Sequence, residues 1–148
     1  MSDYAVKIIP KSPQMEIADA ALDSAVRCLE SKLAAGGIEA HSYDTPAFID
    51  CGSNLEEIRC PLCGEELSFD WWGEAMDTAA GDGFASLEAT LPCCGEKRSL
   101  NDLDYHFPCG FARWEIVVMN PAEEISPGCI VELETILDTP VRLIHAHI

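Results

Sequence analysis

Positive charge is what this chain has least of. Lys and Arg account for 9 of 148 residues against 26 Asp and Glu, a formal net charge of −17 at pH 7. Between Cys63 and Cys93 stand Glu65, Glu66, Asp70, Glu74, Asp77, Asp82 and Glu88, without one Lys or Arg. A nucleic-acid-binding surface gains affinity by displacing counterions with cations, and this one would repel phosphates. Nucleic acid is therefore excluded as the expected partner. The same field favours a basic protein partner, although acidity also serves solubility alone.

Other absences narrow the class. No apolar run approaches the length of a membrane span, and the opening MSDYAVKIIPKS has no apolar stretch of the kind a secretory signal carries. The expectation is a cytoplasmic protein with no membrane partner. H-E-x-x-H, G-x-S-x-G, the Walker loop and G-x-G-x-x-G are all missing, so no catalytic or nucleotide-binding motif points to an enzyme. Thiols stay reduced in a cytoplasm, and 8 cysteines there point to metal more than to a disulfide framework. With 48 % hydrophobic and 24 % charged residues, the composition is that of a folded protein, expected as a single domain over 1–148.

Two stretches carry most of the chemistry, Cys60-Pro61-Leu62-Cys63-Gly64 and Leu91-Pro92-Cys93-Cys94-Gly95. Two thiolates separated by two residues can reach one ion, and the glycine that follows relieves crowding in the turn. The first stretch resembles the knuckle of zinc ribbons and rubredoxins. That resemblance implies a structural zinc site in an inserted subdomain spanning 58–100. The second stretch departs from the pattern, since Leu91 stands where a regular knuckle has cysteine. Three completions follow. Cys93 and Cys94 both join Cys60 and Cys63, which is the preferred set; or one of them binds, with Cys109 or His106 as the fourth ligand; or three cysteines bind with a water, an open and potentially catalytic geometry. Zinc ribbons often serve nucleic acids, but the charge argues against that role here.

Along the chain, Tyr4–Ile9 reads as a first strand closed by Pro10. Ser12 and Pro13 carry the signature of a helix start, and Met15, Ala18, Leu22, Ala25, Val26, Leu29 and Leu33 recur at helical spacing up to Gly36-Gly37. Cys28, beside that stripe, is expected as a small packed hydrophobe. Residues 38–43 and 47–51 read as extended, with His41 solvated. Leu67, Phe69 and Trp71, then Ala85, Leu87, Ala89 and Leu91, alternate on either side of a Gly-Asp-Gly turn. They predict a β-hairpin insertion tied at its base by the two knuckles, with Trp71-Trp72 either a binding platform or, more commonly, a cap on a small core. Residues 99–105 read as a connecting turn. Residues 111–119 form the strongest predicted strand, Ser126-Pro127 starts a helix that Pro140 closes, and 141–148 is a terminal strand. The order strand, helix, strand, insertion, strand, helix, strand is that of an α+β, ferredoxin-like sandwich interrupted by a zinc-ribbon hairpin.

The remaining candidates carry weaker signals. His145 and His147 share one face of the last strand with Val141 and Leu143, and packed or solvated histidines are the commoner explanation. Asp102 and Asp104 lie near His106, in a chain where acidic residues are abundant. Cys51-Gly52 and Cys109-Gly110 repeat the Cys-Gly pattern singly, and the sequence leaves open whether they meet or are separately buried. The favoured function is a small acidic protein with a structural zinc that binds another protein, as an adaptor or an immunity-type inhibitor. A zinc-dependent hydrolase using His106 or the His145 and His147 pair, and a redox sensor using Cys93 and Cys94, are the alternatives.

Overall fold

The computed structural model describes residues 3–147. The N-terminal Met1-Ser2 and the predicted last residue of the terminal strand, Ile148, lie outside them. The described chain is mixed α and β, with three α-helices and antiparallel sheets.

The main sheet is built from β1 (Tyr4–Pro10), β2 (Gly37–Ile49), β8 (Gly110–Met119) and β9 (Val141–His147), in the order β2-β8-β1-β9 with every neighbour antiparallel. α1 (Asp19–Lys32) links β1 to β2, and α3 (Pro127–Leu137) links β8 to β9. Alternation along β1 and β8 sends Val6, Ile8, Trp114, Ile116 and Val118 to one face. There they pack with Leu22, Ala25 and Leu29 of α1 and Cys129, Leu133 and Leu137 of α3. Ile9, Phe111 and Ile144 join a second core formed with the segment between β2 and β8. The run Ile116-Val117-Val118 suggests burial on both faces of β8; Ile116 and Val118 are fully buried on the helix side, whereas Val117 on the other face is only partly buried.

That intervening segment is a small module. It contains β3 (Ile58–Arg59), β4 (Glu66–Leu67), α2 (Phe69–Ala80), β5 (Glu88–Thr90), β6 (Lys97–Ser99), a 3-10 turn at Leu100–Asp102 and β7 (Asp104–Tyr105). β3 pairs with β4 and β7, and β5 pairs with β6.

Three expectations are corrected. The predicted hairpin does not form, because 69–80 is helical. The Ser68 hydroxyl accepts from Trp71 N at 3.1 Å and caps the helix, and Phe69, Trp72, Ala75, Met76 and Ala79 fall at the three-four spacing of one face. Only the first few residues mimic strand alternation. Trp72 packs edge-on against Phe48 at 5.6 Å and donates its indole N–H to the Tyr105 hydroxyl at 3.2 Å, so it is a half-buried aromatic packed against the core. Second, α1 begins at Asp19. Ser12-Pro13 makes a turn closed by Met15 N to Ser12 O at 3.4 Å, while Gln14 Nε2 donates to Ala85 O of the module at 3.2 Å and Glu16 pairs with Arg113 at 2.7 Å. Those tertiary contacts hold 14–16 outside the helix, and Pro suits a turn as well as a helix start. Third, 38–43 and 47–49 belong to one strand, whose register shifts between Ser42 and Ala47.

The second predicted helix start holds at its stated position. Ser126 Oγ accepts from Cys129 N at 3.2 Å with Pro127 at the first helical position, and Asp138, in left-handed conformation at φ 53°, ends α3 before Pro140. Among the described residues, no helix is long and apolar enough to cross a membrane.

Candidate metal centre

Each cysteine stretch forms the tip of its own short ladder, β3–β4 for the first and β5–β6 for the second. Their backbones repeat one design. In the first, Cys60 N donates to Glu65 O at 2.8 Å and Gly64 N to Cys60 O at 3.0 Å; in the second, Leu91 N donates to Glu96 O at 2.8 Å and Gly95 N to Leu91 O at 2.9 Å. Gly64 and Gly95 take left-handed φ of 79° and 75°, where a side chain would be strained. Position 60 therefore corresponds to 91, and 63 to 94. Read in that register, the hexapeptides Cys-Pro-Leu-Cys-Gly-Glu and Leu-Pro-Cys-Cys-Gly-Glu differ by an exchange of one Cys and one Leu. Leu91 keeps the turn and fills the core, where it is fully buried, while the thiol moves two residues on to Cys93.

The sulfurs of Cys60, Cys63, Cys93 and Cys94 all lie within 4.8 Å of one another. Cys60 Sγ is 3.9 Å from Cys94 Sγ, and Cys63 Sγ is 3.4 Å from Cys93 Sγ. Zinc–thiolate bonds of about 2.3 Å place the sulfurs of a tetrahedron about 3.8 Å apart, so the group has the size of a four-thiolate metal site. The chemistry of the donors fits as well. Leu62 N and Cys63 N both point at Cys60 Sγ from 3.4 Å, and these N–H groups favour negative sulfur. The Cys63 N–H is the main reason the Cys60 thiol is lowered to about 6. Burial, together with the neighbouring cysteines, pushes Cys93 up to about 12. The N–H groups favour the thiolate at Cys60, and a bound cation would favour the thiolate at every sulfur that holds it. Arg59 Nη1 donates to Gly64 O at 2.9 Å and braces the first turn.

The other sequence candidates lie elsewhere. His106 Nδ1 is 3.5 Å from Glu57 Oε2, and its ring is exposed. Cys109 is buried with its sulfur 3.2 Å from Cys51 Sγ, a juxtaposition that the sequence left open. His145 Nδ1 meets the Tyr4 hydroxyl at 2.6 Å, with the two rings stacked. The His147 backbone bridges to Gly52, and His147 O accepts from Ser53 N at 2.8 Å. His41 is exposed, 3.5 Å from Glu39. Cys28 Sγ contacts Glu132 Oε2 at 3.5 Å between α1 and α3, and burial leads the causes that raise its pKa.

The sequence already aligns Leu91 with Cys60 and Cys94-Gly95 with Cys63-Gly64; what it does not show is that Leu91 is buried in the core while both turns keep the same backbone bonds. No protein-family model matches the chain, and comparison with curated proteins and with solved structures gives no match.

Proposed function

We propose that this chain is a binding protein whose single structural zinc, held by Cys60, Cys63, Cys93 and Cys94, orders a zinc-ribbon-type insertion in a ferredoxin-like sandwich. The carrying observation is the convergence of four sulfurs within 4.8 Å from two turns of one backbone design. Two βαβ halves giving the order β2-β8-β1-β9 support the ferredoxin-like part of the reading. Four protein thiolates fill a tetrahedral ion and leave no position for water or substrate, which favours a structural over a catalytic metal. Zinc is preferred because closed thiolate tetrahedra suit it. A reducing, cytoplasmic setting accords with eight free cysteines.

The partner we propose is a basic protein that docks on the module. Leu62 and Phe69 are 47 and 46 % exposed there, close in sequence to Glu65, Glu66 and Asp70. Apolar anchors within an acidic field suit a cationic surface with apolar contacts of its own, as an adaptor or an immunity-type inhibitor would require. A metalloenzyme would need a ligand position left to solvent, and neither His106 nor the His145 and His147 pair belongs to the cysteine group.

Native mass spectrometry with zinc-edge absorption tests the site. One zinc per chain in a four-sulfur shell is expected, whereas three sulfurs plus an exchangeable oxygen would transfer the case to the hydrolase. Purification of bound proteins from the source cells, with wild type and a Glu65→Gln, Glu66→Gln, Asp70→Gln variant, tests the partner. A basic protein held by the wild type and released by the variant or by high salt is expected; retention indifferent to both would sink the charge argument.

A further inference from the structure

A second cysteine pair stands at the neck of the module, outside the metal centre. Cys51 follows the end of β2 and Cys109 immediately precedes β8, where the chain leaves the main sheet and where it returns. Both side chains are fully buried, and Cys109 Sγ lies 3.2 Å from Cys51 Sγ with no other residue between them. Each sulfur also lies 3.6 Å from the Phe107 carbonyl, so the two share one pocket.

The flanking glycines show how firmly the pair is placed. A Cβ on Gly52 would meet the His147 carbonyl oxygen at 2.2 Å, and one on Gly110 would meet the Arg142 guanidinium at 1.9 Å. Both Cys-Gly steps therefore press against β9, which fixes the backbone on either side of the sulfurs. Arg142 is itself anchored, donating to Asn101 Oδ1 at 2.8 Å, and the same oxygen accepts from Phe111 N at 2.8 Å. In the closed neck the two thiols already face each other.

We propose that Cys51 and Cys109 are a disulfide-forming site that closes the neck of the module, with a small-molecule disulfide of the glutathione type as the oxidant. One cysteine gives up its proton and attacks the glutathione disulfide. The mixed disulfide forms, and the first glutathione leaves as a thiolate that takes up that proton. The second cysteine then attacks the protein-bound sulfur and expels the second glutathione, which takes the other proton. One S–S bond breaks and one forms; two protein thiols lose two electrons, and the glutathione disulfide gains them as two reduced glutathiones. Burial keeps the Cys109 thiol protonated well above its ordinary range, so the exchange runs through opening of the neck and is slow on the closed protein. The cysteines lie 58 positions apart in sequence and enclose the whole module, so the bond restricts the unfolded chain over that entire loop.

The test uses the full, metal-loaded chain. It is incubated with oxidised glutathione, alone and in urea below the unfolding transition so that neck opening does not limit the reaction, then unfolded in iodoacetamide and digested without reduction. A cross-linked peptide pair carrying Cys51 and Cys109 is expected, with Cys28, Cys129 and the four metal-site cysteines recovered alkylated. The oxidised protein is further expected to unfold at higher urea than the reduced one, a difference that Cys109→Ala and Cys51→Ala each abolish while still binding one metal. Recovery of Cys51 and Cys109 as alkylated thiols under both conditions, or as glutathione adducts without the cross-link, would overturn the proposal.

Discussion

In the sandwich, β1, β2, β8 and β9 run for 7, 13, 10 and 7 residues, whereas the five strands of the module run for two or three. The sandwich buries Ile8, Leu29, Trp114, Ile116 and Leu133 completely between a sheet and two helices. Area of that kind stabilises by burial alone, at about 25 cal/mol per Å² of apolar surface. The module has one helix, of which Ala79 is the one buried residue, and ladders too short to persist unaided. Its two hairpin tips bring four cysteines together, and on the proposed reading a bound ion would cross-link them. The two regions share an apolar floor of Ile9, Phe111 and Ile144, and on the proposed reading the module alone depends on coordination.

The sharpest way to test that contrast is to remove the ion. Chelation, or Cys60→Ser or Cys94→Ser, should release the module while the sandwich persists, since structural zinc supplies about 10–16 kcal/mol in small zinc-dependent units. Hydrogen exchange should then lose protection across Ile58–Tyr105 and keep it in β1 and β8; simultaneous loss in both would show one cooperative unit. The converse change is Trp114→Ala, which opens a cavity in the sandwich and should cost about 3–5 kcal/mol in urea unfolding. The purified variant should still bind one metal.

An exchange within the second turn sharpens the comparison further. Leu91→Cys with Cys93→Leu restores the regular knuckle and should keep one metal per chain, at a cost of about 1–3 kcal/mol for the smaller residue at a filled core position. Loss of metal from this double variant would show that the two turns are not interchangeable. Next come the helix caps, Ser68 in the module and Ser126 in the sandwich. Alanine at either should cost about 1 kcal/mol. Exchange should rise within α2 alone for Ser68→Ala, and for Ser126→Ala the loss should appear in the global unfolding of the sandwich.

The smallest effect concerns Tyr43 on β2. Its partial burial, and then the Glu115 carboxylate that its hydroxyl meets at 3.0 Å, raise it to about 12. A raised folded pKa means that the stability from neutral Tyr43 is complete below the ordinary tyrosine value of about 10 and is lost as pH rises through about 12. Tyrosinate absorbance should lose one group titrating at about 12 on Tyr43→Phe, while Tyr105, which burial raises further still, continues to titrate late, and stability at neutral pH should change little.

Much of the sandwich was readable because its signals are local and agree with one another. β1 and β8 are dense in β-branched and aromatic residues, and Ser126-Pro127 caps α3 where the pattern places it. The module was read less well, because Leu67, Phe69 and Trp71 satisfy a two-residue period and helical spacing over the same short span. Packing of Trp72 against Phe48 and Tyr105, along with the Ser68 cap, selects the helix. The start of α1 failed for a related reason, since Gln14 and Glu16 are held by residues remote in sequence.

By itself the sequence determined the donor chemistry. Thiol spacing and the glycines at 64 and 95 restrict Cys60, Cys63 and Cys94 to tight turns, because a cysteine's reach is set within a few bonds. Spacing also made Cys93 the preferred companion of Cys60, Cys63 and Cys94. Tertiary structure alone decided that Cys51 meets Cys109, because that contact depends on how the neck settles on the sheet and, across 58 positions, leaves no local trace in composition or spacing.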